Sequence, residues 1–147
     1  MTTRHYQGTV VPESKSLLDI EYLLRLHGVQ TVRWTTGVDL IRIEFAWPYQ
    51  GQELAFRIDL AVPAKDRDGY GLTGAKRDQE RRRLLRVLVN HIKAKLVAVE
   101  DGLIDLEREF LAYMIGQGNQ TMGERLTEQL ASGHLPETYP LLEGPRT

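Results

Sequence analysis

Between Thr31 and Val62 the chain alternates apolar and polar residues with a period of two. In "VDLIRIEFAW", Ile41, Ile43, Phe45 and Trp47 share one face while Arg42 and Glu44 share the other. In "QELAFRIDLAV", Leu54, Phe56, Ile58, Leu60 and Val62 face one way and Glu53, Arg57 and Asp59 the other. "QTVRWTT" alternates more weakly, and Thr36-Gly37 and "PYQG" provide the intervening turns. Alternation of this kind predicts an antiparallel meander of three strands with one wet face.

Elsewhere the rhythm is helical. Leu17, Ile20, Leu24 and His27 recur at helix spacing before Gly28, a natural stop. Ser14 or Ser16 is the expected cap, with Ser16 and Asp19 resembling a capping box. Beyond the strands, Leu85, Val89, Ile92, Leu96, Val99, Leu103, Leu106, Phe110 and Tyr113 are spaced alternately four and three apart. This spacing predicts one long helix with a single seam, bent at Gly102 if anywhere, because the seam keeps phase across the glycine. At roughly 35 residues such a helix would be about 50 Å long, too long for three strands to cover, so the seam around Leu103 to Tyr113 is expected to be covered by the last helix or, alternatively, by a second copy of the chain. Thr121 and Glu124 form a capping box for a last short helix carrying Met122, Leu126 and Leu130.

Together these elements predict a single α+β domain over residues 1–147. It comprises a short N-terminal helix, a three-stranded antiparallel meander, a long helix packed on the sheet and a short C-terminal helix. Residues 1–13 read as a loose lead-in, with a short strand at "GTVV", and residues 134–147 as an irregular tail containing prolines.

At 147 residues, 41% hydrophobic and 27% charged, the composition is that of a globular domain with room for a core. Without cysteine there is no disulfide, thiol nucleophile or thiolate metal site. No apolar run approaches the roughly 18 residues a membrane span requires. "MTTRHYQGTVVPES" lacks the apolar core of a secretion signal, so the expected location is the cytoplasm.

The net charge of −1 conceals an asymmetry. From Lys76 to Lys95 there are eight basic residues against Asp78 and Glu80; from Val99 to Glu128, seven acidic residues against Arg108 and Arg125. Arg82, Arg86 and Lys93 form a stripe along the long helix, flanked by Arg83, with Lys76 and Arg77 at its start. Pairs Asp78–Arg82 and Glu80–Arg83 would neutralise part of the cluster. Basic residues at a helix start oppose the macrodipole. Phosphate contact through Lys76, Arg77, Arg82, Arg83, Arg86 and Lys93 is therefore the leading expectation, to DNA or RNA.

Other chemistry is thinly supplied. "GYGLTG" spells G-x-G-x-x-G through Gly69, Gly71 and Gly74, but a dinucleotide fingerprint needs a parallel βαβ unit that this pattern does not offer. The Gly69–Gly74 loop reads as a mobile glycine-rich loop that binds no nucleotide, the alternative being a phosphate held by its glycines, Lys76, Arg77 and the helix N-terminus. Asp66 and Asp68 suggest calcium, yet Tyr70 and Arg77 occupy positions where an EF-hand loop needs ligands. His5, His27, His91 and His134 do not pair at metal spacing. Glu44 and Asp59 share the polar strand face without forming an acid–base constellation on that ground alone. No catalytic group, metal or cofactor is expected.

"FRIDLAVP", then "RRLLRVLVNHIKAKLVAVEDGLIDLEREFLAYMI" and "GNQTMGERL", resemble a group of short uncharacterised proteins of tailed bacteriophages and prophages. The likeness covers roughly residues 16–140 and is most specific at "IKAKLVAVEDG" and "EFLAYM". It implies a mobile-element origin and an α+β fold, and it carries no known functional residues. Small proteins of this kind serve phage DNA metabolism or bind host or phage proteins. The alternative to nucleic acid is thus a protein-binding inhibitor or adaptor acting on a host or defence protein. An antiparallel homodimer, basic half against acidic half, is a further expectation.

Overall fold

Alternation builds a three-stranded antiparallel sheet in the order β1–β2–β3, with β1 at Thr31–Thr36, β2 at Leu40–Tyr49 and β3 at Gln52–Ala61. A computed structural model describes residues 4–133 of the chain; the expected proline-containing tail at 134–147 lies outside them. The β2–β3 hairpin closes on Gln50 and Gly51, both with positive φ (48° and 77°), the two-residue turn that matches strand twist. The register sets Trp34 opposite Ile43 and Ile43 opposite Ile58, then Val32 opposite Phe45 and Phe45 opposite Phe56. Every apolar alternate therefore reaches the same face.

On that face lie α1 (Glu13–Leu26) and α2 (Gly74–Glu100). Ile20 and Leu24 of α1 and Leu88, Val89, Ile92 and Leu96 of α2 are buried against Ile43, Phe45, Phe56 and Ile58. A smaller cluster of Ile41, Val62 and Leu85 closes the end nearer the start of α2. The α+β architecture of helix, meander, long helix and short final helix is as the sequence predicts.

Three local expectations are corrected. First, α1 begins at Glu13 behind Pro12, with no side-chain cap. Ser16 is buried inside the helix and Asp19 bonds Lys15 and Arg86 instead of closing a capping box. Second, no strand forms at "GTVV". The lead-in is tied to α2: Arg4 bonds Glu80 at 2.8 Å, and Gln79 donates to the Thr9 carbonyl at 2.9 Å.

The third is larger. The long helix stops at Glu100. Gly102 sits at φ +76°, its N–H bonds the Val99 carbonyl, and the Leu103 N–H bonds the Ala98 carbonyl. This is a Schellman stop, which glycine reaches without the penalty a Cβ brings. The seam residues beyond it turn back. A single turn, α3 (Leu106–Glu109), buries Leu106, and Phe110 meets Phe45 edge-on at 5.7 Å. Leu103 lies out of the core at 81% exposure. The chain then runs beside β3, where the Ile115 N–H bonds the Ala55 carbonyl at 2.8 Å, and enters α4 (Met122–Ala131). Thr121 caps α4 by accepting from the Glu124 N–H, as expected. The Glu124 carboxylate goes to Arg57, an arginine on the open sheet face that is only 5% exposed and also bonds the Asn119 side chain and carbonyl.

Gly102→Ala discriminates a stop from a bend. An uninterrupted helix would gain up to about 1 kcal/mol from alanine; at a left-handed stop the same change costs about 1 kcal/mol. We expect a loss, read as a fall in Tm of about 3 °C.

Candidate functional site

The arginine cluster at the start of α2 is mostly occupied by the rest of the chain. Arg77 bonds Asp39 at 2.6 Å and the Val62 carbonyl at 3.4 Å. Arg81 bonds Glu13 at 2.6 Å and the Gly37 carbonyl at 2.7 Å, tying α2 to both α1 and the β1–β2 turn. Arg83 grips Glu80 with two bonds of 2.8 and 3.0 Å, and Arg4 shares the same carboxylate. Arg86 reaches Asp19 of α1 at 2.9 Å. The expected Glu80–Arg83 pair is present; Arg82 bonds the neutral Gln79 amide at 2.6 Å rather than Asp78.

The structure thus divides the expected contact residues. Arg77, Arg83 and Arg86 have carboxylate partners in the chain. Lys76, Arg82 and Lys93 have none among the described residues. Of the acids counted against this helix, Glu100 is its last residue and the others follow its end, from Asp101 to Glu128, so the acidic half that an antiparallel homodimer would pair is not part of this helix.

Two of these cations line a groove of about 220 Å³ between the helices, walled by Asp19, Tyr22 and Leu23 of α1 and by Arg86, Val89, Asn90 and Lys93 of α2. Arg82 precedes Arg86 by one turn on the same side of α2. Lys15 and Arg86 share Asp19, and their hydrogen bonds hold its carboxyl below the ordinary aspartate range. Within the lining, Arg86 and Lys93 face the single carboxylate of Asp19, which leaves the groove with a net positive charge.

Beside it stands an apolar ridge. Leu18, Tyr22 and Leu26 are 65%, 65% and 61% exposed and lie at i, i+4 and i+8, on the side of α1 away from Ile20 and Leu24. Single exposed apolar residues are ordinary; three in a row along a groove are a patch. The spacing was legible in the sequence, but the inward stripe of the same helix, counted from Leu17, drew the pattern first. The groove itself was not legible, because it depends on which faces of two distant segments meet.

The remaining candidates have structural occupations. Asp66 accepts the N–H groups of Asp68 and Tyr70 at 2.9 Å, shaping the Gly69–Gly74 loop as a side-chain-held turn. Glu44 binds Arg33 at 2.9 Å and Asp59 binds Arg42 at 2.7 Å, so the two carboxylates stand in separate ion pairs. Partial burial and the Lys95 ammonium hold His91 below the ordinary imidazole range. Among the described residues no cluster of three or more His, Cys, Asp or Glu is arranged to hold a metal, and no helix is long and apolar enough to cross a membrane. Comparison with protein-family models, with curated proteins and with solved structures finds no match to this chain.

Glu80 gives the cluster a pH signature. The Arg83 hydrogen bonds hold its carboxyl below the ordinary value of 4.5, with Arg4 adding to the effect. A depressed carboxyl stabilises the fold fully above its ordinary value and loses that contribution as pH falls through the lowered one. We expect urea midpoints to fall below about pH 4.5. In Glu80→Gln the same acid limb should be flatter, and stability at pH 7 should be lower by about 2 kcal/mol, since two guanidiniums lose their counter-charge.

Proposed function

We propose that the protein is a non-enzymatic binding module that takes an acidic, amphipathic helix of a partner protein along the α1–α2 face. The exposed row of Leu18, Tyr22 and Leu26 carries this reading. Helix-in-groove recognition uses apolar anchors at i, i+4 and i+7 or i+8, set by the helix repeat. Tyr22 is the natural central anchor, being large, rigid and amphipathic. The cations of Arg82, Arg86 and Lys93 alongside select the partner's charge and speed its approach. We further propose a phage or prophage origin, under which the partner would be a host or defence protein and the role that of an inhibitor or adaptor.

Nucleic acid is the second reading, favoured by the cations without a carboxylate among the described residues: Lys76, Arg82 and Lys93. It has fewer phosphate contacts than the sequence suggests, because using Arg77, Arg83 or Arg86 requires breaking ion pairs that hold the fold. An apolar ridge is also of little use to a phosphate backbone, whose recognition is mainly electrostatic.

One titration separates the two. The probes are a designed helical peptide with leucines at i, i+4 and i+7 and glutamates elsewhere, its lysine counterpart, and a 20-base-pair DNA duplex. We expect the glutamate peptide to bind at least tenfold tighter than the lysine peptide. The double variant Leu18→Ala/Tyr22→Ala should weaken it about tenfold, or 1.4 kcal/mol, without lowering Tm, since both side chains are exposed. Equal binding of the two peptides, or none, overturns the reading. Duplex binding lost in Arg82→Glu/Lys93→Glu and unaltered in Leu18→Ala/Tyr22→Ala transfers the function to nucleic acid.

A further inference from the structure

A second cleft lies at the start of α2, where the N-terminal segment crosses it. It measures about 140 Å³ and is lined by Arg4, Gln7 and Gly8 on one side and by Lys76, Gln79, Glu80 and Arg83 on the other. Three of these seven residues are cations and one is an anion. Glu80, 8% exposed, is fully used: its Oε1 accepts from both Arg4 and Arg83 at 2.8 Å, and its Oε2 accepts from the Arg83 Nε at 3.0 Å. Gln79 is also committed, donating to the Thr9 carbonyl and accepting from Arg82. The Lys76 ammonium has no acceptor among the described residues, and Arg4 is bonded through one Nη only.

From these positions we infer that the cleft binds a phosphate dianion, free or as the end of a small phosphomonoester. Glu80 orients both guanidiniums and cancels one of the three positive charges, leaving two for a dianion. The donors are the Arg4 N–H groups that Glu80 leaves free, a fixed fork suited to phosphate oxygens, and the Lys76 ammonium, a mobile point charge. Arg83, whose Nε and Nη2 hold Glu80 and whose Nη1 reaches the His5 carbonyl at 3.5 Å, adds charge alone. The first turn of α2 reinforces the field: it holds no acidic residue, and Thr73 makes no side-chain cap. Size suits the anion itself: at about 30 Å³ per water, the cleft holds the equivalent of roughly four to five waters, enough for one tetrahedral oxyanion, and any group esterified to it would lie outside the cleft. This site is separate from the α1–α2 groove and does not depend on the docking reading.

The test is calorimetric titration of the whole protein with inorganic phosphate and with glycerol phosphate, at constant ionic strength against sodium chloride. We expect saturable binding of phosphate in the native protein and at least tenfold weaker binding in Lys76→Gln, an exposed position whose change leaves the fold intact. Lys93→Gln, in the other groove, should bind as the native protein does. Binding of glycerol phosphate as well assigns the site to a monoester terminus; binding of inorganic phosphate alone assigns it to the free anion. No saturable binding of either, or equal binding in Lys76→Gln and the native protein, overturns the proposal.

Discussion

The structure turns on a mismatch of lengths. The buried row of β2 runs from Ile41 to Phe45, about 14 Å at 3.4 Å per residue. Opposite it, the buried run of α2 from Leu85 to Leu96 covers about 16 Å. The helix begins at Gly74, so another 16 Å or so precedes that run with little apolar sheet to lie on. Hydrophobic burial cannot hold this overhang, and ion pairs do so instead. Asp39 and the turn carbonyls receive Arg77 and Arg81, Glu13 receives Arg81, and the Glu80 carboxylate binds both Arg83 and the N-terminal Arg4.

This explains a charge distribution that local helix energetics disfavour. Cations in the first turns of a helix oppose its dipole by several tenths of a kcal/mol each. They are tolerated where each guanidinium meets a carboxylate or carbonyl on a neighbouring element, because charge-assisted bonds outweigh that penalty. The same argument singles out the exceptions. Lys76, Arg82 and Lys93 bear the penalty or stand along the groove without a carboxylate in return among the described residues, and both proposed sites gather around them.

At the other end of α2 the problem is solved by reversal. With the sheet row exhausted at Phe45, a continuing helix would carry Leu106 and Phe110 into solvent; the Gly102 stop folds them back onto Phe45 and Phe56 instead. That break was hidden in the sequence because its two sides happen to share a heptad phase, and because one glycine weighs only about 1 kcal/mol against the pattern. The strands were legible down to their facing residues, since a period of two admits one partition of faces. Gly28 and Thr121 were legible as stop and cap because their chemistry is local. Arg57 was not. It reads as a wet-face residue of β3, and only the return of residues 114–124 across that face buries it against Asn119 and Glu124.

The ties between α1 and α2 also set what the outer face can do. The Arg81–Glu13 and Arg86–Asp19 pairs fix the two helices side by side, so the groove has a defined width before any partner arrives. A binding site on rigid helices loses less conformational entropy on association than one on loops. On the proposed reading Asp19 stands where a partner's carboxylate would sit. Ionised and shared between Lys15 and Arg86, it keeps Arg86 oriented toward the groove while Arg82 and Lys93 stand without a carboxylate among the described residues. An acidic partner would be attracted first by the two unpaired cations and would compete with Asp19 only once seated. Its specificity would rest on Tyr22 and the flanking leucines, whose burial the fold itself does not use.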